Sequence, residues 1–341
     1  AESSPRSANV FPTPMALFKN IITYRIAPEW TPPAQEALEA ELQRLAFQPC
    51  DASQELSVGW VPPRGEEHGA MVENIAGHWI LKMAVERKAV PAGAVRAELE
   101  ARCKAIEAEQ GRKPGRKEKS EIKEDIVHAF LPRAFSKRSA HTLWIDVANR
   151  LLVIGAGSTK AAEGVIKQLG DVMAELKHVL PLSPIHTATS PSAAMAHWLT
   201  SREAPAGFTV DRDLELKNPG EDKSVVRYTR HHLELDEIAQ HIQEGKMPTQ
   251  LALTWEGKVS FLLTELLVIK KIDMHGVEEN LSKDDGFDAD AAIATGELSA
   301  LWPDLLQALG GELDPGRAAP VPEAVVAAVT GAADELDTMP F

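Results

Sequence analysis

The side chains in this sequence best suited to chemistry are cations at short spacing. Arg112, Lys113, Arg116, Lys117 and Lys119 fall within eight positions, and Arg133, Lys137 and Arg138 crowd around Phe135 in "LPRAFSKR". Arg227, Arg230 and His231 form a third, looser group. Lysine and arginine at such density attract phosphates without reading a base sequence. Phe135 beside them has three readings: stacking on an unpaired base, packing against another protein surface, or filling the core. The ordinary alternative for the 112–119 cluster is a solvated helical turn whose charges serve solubility.

Other constellations fall short of a site. "VIGAGSTKAAEGVI" places Gly155, Gly157 and Lys160 between a strand and a helix, as a phosphate cradle would. It lacks the third glycine of the dinucleotide fingerprint and the spacing of a P-loop, and Ser158 or Thr159 as a helix cap accounts for it. A nucleotide-dependent enzyme using Gly155 to Lys160 with Asp146 is the competing functional reading. In "RHHLELDEIAQHI", read as a strand entering a helix, His231 and His232 point to opposite faces and cannot share a metal. A cationic strand face led by Arg227 and Arg230 is the better reading there. The acids and Gly286 of "SKDDGFDAD" miss the offsets of a calcium loop. No HExxH and no nucleophile elbow is present. The chain is therefore expected to be no enzyme and to need no metal or cofactor.

These groups need elements to hold them. "ALFKNIITYRI" alternates as a strand, and Leu38, Leu42, Leu45 and Ala46 share a helical face after Pro32 and Pro33. "WILKMAVERKAV" reads as a strand. Val95, Leu99, Cys103 and Ile106 then form one helical stripe, and Ile122, Ile126 and Phe130 another, with "GRKPG" breaking the two. A helical hairpin with a basic turn follows. "AHTLWIDVANRLLVIGAG" predicts two strands turning at Asp146 to Asn149, and "TKAAEGVIKQLGDVMAELK" a helix. A new unit begins near Pro184. It holds a helix around "SAAMAHWL", strands at "GFTVDRDLEL" and "SVVRYTRHHLEL", the helix "LDEIAQHIQ", a hairpin turning at Glu256 and Gly257, and a last helix closed by Gly310 and Gly311. Neighbouring strands joined by short turns favour α+β over a doubly wound parallel sheet.

The 341 residues carry a formal net charge of −14, unevenly spread. Fifteen acids face three cations from Lys271 onward, whereas eleven lysines and arginines between Arg102 and Arg138 outnumber the acids there. One region is basic within an acidic chain. Cys50 and Cys103 are the only cysteines and suit a reducing compartment, and no apolar run approaches a membrane span, so a cytoplasmic protein is expected. Residues 1–14 read as an added leader preceding Met15 rather than a signal peptide, and 312–341 as a mobile acidic tail.

Several motifs in order resemble one family. "MALFKNIITYRI" from Met15, "LAFQPC" at 45–50, "GWVPPRG" at 59–65, "IEAEQGRK" at 106–113, "LPRAFSKRSAHTLWID" at 131–146 and "LALTWEGKVSF" at 251–261 resemble the bacterial recombination-associated RdgC family, from Met15 to about Gly311. The resemblance implies a horseshoe-shaped α+β subunit with mixed or antiparallel sheets and a protruding helical hairpin, closing as a homodimer into a ring. On that plan 15–90 with 124–185 form a central region, 91–123 the hairpin tip and 186–311 the base. It further implies a nucleoid-associated protein that binds duplex DNA without sequence preference, with single-stranded DNA as a second candidate, and restrains the RecA recombinase. Phe135 is implied at ring closure, and Arg230 and His231 around DNA contact. With these, Arg112, Lys113, Arg116, Lys117, Lys119, Arg133, Lys137, Arg138 and Arg227 complete the expected DNA-binding set.

Overall fold

The computed structural model describes residues 17–220, 223–234, 236–275 and 283–314. The leader expected at 1–14 and all but Glu312 to Asp314 of the expected tail lie outside them. In chain order come β1 (Asn20–Ile26), α1 (Gln35–Arg44), β2 (Leu56–Val61), β3 (Glu73–Ile75) and β4 (His78–Ala89). Next are α2 (Ala92–Gln110), α3 (Arg116–Phe130), a 3-10 turn (Leu131–Arg133), β5 (Phe135–Asp146), β6 (Leu151–Ile154) and α4 (Thr159–Glu175). The remainder is β7 (Leu182–Pro184), α5 (Pro191–Ser201), β8 (Phe208–Lys217), β9 (Val225–Tyr228), α6 (Asp236–Gln243), β10 (Met247–Trp255), β11 (Val259–Thr264), β12 (Ile269–Met274) and α7 (Lys283–Ala308). The named strand ladders are antiparallel, and the fold is α+β as expected. Among the described residues no helix is long and apolar enough to cross a membrane.

The described residues divide into two compact units, one of 17 and 28–180 and the other of 18–27 and those from 181 onward. The strand β1 thus belongs with the second unit, although the sequence reading grouped 15–90 together. Its partners explain this: Asn20 and Ile21 pair with Lys270 and Ile269 of β12, and Tyr24 to Ile26 pair with β7.

In the first unit the strands run β2-β4-β5-β6, with β3 also on β4. β4 and β5 pair over twelve rungs, from His78 with Asp146 to Ala89 with Phe135. Burial declines along β5. Leu143 to Asp146 are buried, while Phe135 to Ser139 are exposed. α1 contributes buried Leu38 and Leu42, and α4 contributes Val165, Leu169, Val172 and Met173, the apolar spacing of amphipathic helices. Between β4 and β5 the chain makes the α2–α3 hairpin. Val95 and Ile126 are the buried residues of these helices. Gly111 ends α2 with φ 67°, a left-handed turn that costs glycine little. Leu99, Cys103, Ile106, Ile122 and Phe130, the remaining stripe positions, are only half-buried.

The second unit orders its strands β1-β12-β11-β10-β8-β9. α5 packs on β10 and β11, and α7 buries Ala294, Leu298, Leu301, Trp302 and Leu305. The β10–β11 hairpin turns at Glu256 (φ 49°) and Gly257 (φ 65°), as the sequence predicts.

Two expected strand limits differ. β5 starts at Phe135 rather than near Ala140, because its first residues find partners rung by rung on β4. β9 ends at Tyr228 instead of running through His231 and His232. Arg230 takes φ 53°, which breaks the extended run, so the argument that adjacent histidines project to opposite strand faces does not apply.

Candidate nucleic-acid interface

The hairpin cations differ in how free they are. Arg112 donates to Glu118 at 2.7 and 3.2 Å, and Glu118 also accepts the Gly115 amide. These bonds, the Arg112 bond foremost, hold the Glu118 carboxyl below its ordinary range. Lys113 lies 3.8 Å from Glu107 and Lys117 4.0 Å from Glu121. Among the described residues no acid pairs with Arg116 or Lys119, and both are exposed. Lys123 completes a stripe with them at i, i+3 and i+7 on α3, a spacing legible in the sequence although Lys123 was not among the candidates.

The alternation of β5 sorts the "LPRAFSKR" cluster into two faces. Ser136, Arg138 and Ala140 share one. There Arg138 meets Glu86, directly opposite it in the ladder, at 3.3 Å and stacks over the Phe47 ring with 5.6 Å to the centroid. Burial pushes the Glu86 carboxyl up, but the Ser136 hydroxyl, the Cys50 amide at 3.1 Å and Arg138 outweigh it, so the group sits below its ordinary range. Arg138 therefore serves the fold as a counterion to a buried acid.

Phe135, Lys137 and Ser139 occupy the other face and are exposed. Phe135 is 90% exposed, which excludes the core reading of this ring. Lys137 is directly opposite Arg87 in the ladder, so two cations share a rung. Like charges so placed repel, and a bound anion relieves the repulsion. Arg87, whose other neighbour is Glu55 at 3.8 Å, was not a sequence candidate, since only the β4–β5 register brings it to Lys137. Arg133, exposed on the 3-10 turn, leads into this edge. β6 reaches only as far as Leu143, and Gly155 adds one further bond to the Thr142 carbonyl at 2.7 Å. The outer edge of β5 from Phe135 to Ala140 has no strand partner among the described residues.

In the second unit Arg227 is bonded to Glu215. Burial raises the Glu215 carboxyl, and the Arg227 and Thr249 bonds bring it below its ordinary range. Arg230 and His231 stand on an irregular turn tied to β8. The Arg230 amide donates to Asp213 at 2.9 Å and the His231 amide to the Arg212 carbonyl at 3.0 Å. Their side chains are exposed, and the His231 ring lies 6.0 Å from that of Tyr228. The backbone is held while the side chains stay available.

The Gly155 to Lys160 stretch is a capped helix start. Ser158 accepts from the Ala161 amide at 3.4 Å, and the Gly155 amide is spent on Thr142. Asp146 is buried beneath Asn149, whose amide and side chain both donate to it at 2.9 and 2.8 Å. It pairs with Leu151 at one end of β6, whereas Gly155 leaves the other end, so the two do not share a site. Among the described residues no three His, Cys, Asp or Glu side chains are grouped to hold a metal ion.

The model of the family described as "Putative exonuclease, RdgC" matches residues 16–312. The recombination-associated protein RdgC of Herminiimonas arsenicoxydans is 43% identical over 303 residues, covering 86% of this chain and 98% of that protein. The proteins of the same name from Dechloromonas aromatica and Bordetella parapertussis are 42% and 38% identical, over 98% of each of their lengths. With a family match over most of its length and relatives aligned nearly end to end, the chain belongs to the RdgC family of recombination-associated proteins.

Proposed function

We propose that this chain binds duplex DNA without sequence preference, as a homodimeric ring that restrains RecA-dependent recombination by occupying the DNA. The observation that carries the reading is the exposed face of β5, where Phe135 and Lys137 lie on a strand edge without a further partner among the described residues, Arg87 of β4 faces Lys137 across the ladder, and Arg133 precedes the strand. Exposed cations brought close together recruit phosphates. An aromatic ring held in solvent at such an edge suits closure against a second copy, and two-fold symmetry then brings two basic faces to one aperture. The acids that dominate the remaining sequence keep the particle soluble and discourage binding elsewhere. Such a protein works in the cytoplasm on the nucleoid, and binding of this kind requires neither cofactor nor catalysis.

Retention of the protein on closed circular and linear duplexes after a high-salt wash tests the ring. A threaded dimer stays on circles and slides from free ends. Equal loss from both overturns threading, while loss of all binding at low salt overturns the DNA reading itself.

A further inference from the structure

We propose that Ser260 and His275 form a nucleophile and general-base pair able to cleave small activated esters. Ser260 lies on β11, and His275 directly follows β12. The Ser260 hydroxyl is 3.0 Å from His275 Nε2, and His275 Nδ1 is 3.1 Å from the Gly257 carbonyl.

The donor and acceptor inventory fixes the proton positions of this chain. A carbonyl only accepts, so Nδ1 carries the hydrogen and Nε2 of the neutral ring presents its lone pair. The Ser260 hydroxyl must then donate to Nε2. This is the arrangement in which an imidazole can take the proton of an attacking hydroxyl, with the base oriented by a third group. The carbonyl of the β10–β11 turn fills the orienting position.

The ring is also held in place. The His275 amide donates to the Lys258 carbonyl at 2.7 Å, so backbone and ring are both tied to the turn made by Glu256 and Gly257. Asp273, directly opposite Ser260 in the β11–β12 ladder, places a carboxylate on the same face. Ser260 is half-buried and His275 exposed, so the pair is open to solvent and suits small acyl groups rather than an enclosed substrate.

The step balances without a cofactor. Ser260 Oγ bonds to the acyl carbon as its proton passes to Nε2; the ester C–O bond breaks and the departing alkoxide takes that proton. Water then attacks the acyl-serine, gives a proton to Nε2, and releases the acid as the proton returns to Ser260. One ester and one water yield one acid and one alcohol. The sequence reading expected no catalysis, and nothing in the spacing of a serine and a histidine fifteen positions apart points to this pair.

The test uses the full-length protein with a fluorophosphonate probe and p-nitrophenyl acetate, with peptide mass analysis of the adduct. The expected result is labelling at Ser260 together with ester turnover, both lost in Ser260→Ala. His275→Gln keeps the hydroxyl but removes the base, and labelling should slow by about a hundredfold. Ser260→Cys, which retains a nucleophile, should be alkylated by iodoacetamide faster than the same cysteine in a His275→Gln background, and DNA binding of every variant reports whether it has folded. An unlabelled Ser260 in the parent protein, or ester turnover unchanged in Ser260→Ala, overturns the proposal without touching the DNA reading.

Discussion

Lys137 and Arg138 are neighbours in the chain but leave β5 on opposite faces, Lys137 across from Arg87 and Arg138 across from the buried Glu86. Adjacent cations therefore have unlike duties. One is left exposed at a rung it shares with another cation, and the other neutralises an acid 3.3 Å away.

Their substitutions should separate accordingly. Arg138→Ala leaves Glu86 buried without its counterion and should destabilise the protein by about 1–3 kcal/mol, the cost of an uncompensated buried polar group. Lys137→Ala relieves a like-charge rung and should leave the denaturation midpoint unchanged or slightly raised while weakening DNA binding. Denaturant melts and duplex titrations on both variants check the split. Equal destabilisation would refute it.

Acid should act through Glu86 and Glu215. Both carboxyls are held below the ordinary glutamate range, so each binds its proton less readily folded than unfolded. Their contribution to stability is full above the unfolded value, near 4.5, and is lost as pH falls through the lower folded value. Stability measured from neutral pH downward should therefore drop below about pH 4.5, and Glu86→Gln should flatten that limb.

Salt dependence distinguishes paired from unpaired cations. Each phosphate neutralised on duplex DNA contributes about −0.9 to the slope of log affinity against log salt. Arg116→Ala and Lys119→Ala should each make the slope less steep by up to that amount. Arg112→Ala should change it less, because Glu118 already opposes that charge. Anisotropy titrations with two unrelated duplexes over a salt series give the slopes, and the two duplexes should compete equally.

Phe135→Ser removes a ring that is 90% exposed and should leave the melting temperature of the subunit unchanged. It should lower dimer association, or retention on circular DNA, more than any single lysine-to-alanine change at the hairpin tip. Sedimentation across a concentration series and the circular-duplex wash provide the comparison. Unaltered association and retention together would remove Phe135 from ring closure.

Much of the local architecture is legible in the sequence, because short-range chemistry decides it. The apolar stripes flanking "GRKPG" give α2 and α3, Gly111 supplies the left-handed end between them, and Ser158 caps α4. Asp146 to Asn149 make the β5–β6 turn through bonds spanning three residues. Ordered motifs from Met15 to Gly311 also suffice to place the chain in its family.

What the tertiary structure alone decides is the company each charge keeps. Arg87 comes to Lys137, and Glu86 to Arg138, only through a ladder joining residues about fifty positions apart on either side of a helical hairpin. The same holds for β1 joining β12 and for Ser260 reaching His275. Helix caps and turns are satisfied by neighbours within a few residues, so their pattern is written locally. Pairing register depends on which distant strands bury their apolar faces together, and a shift of one residue would take Lys137 from Arg87 and Arg138 from Glu86.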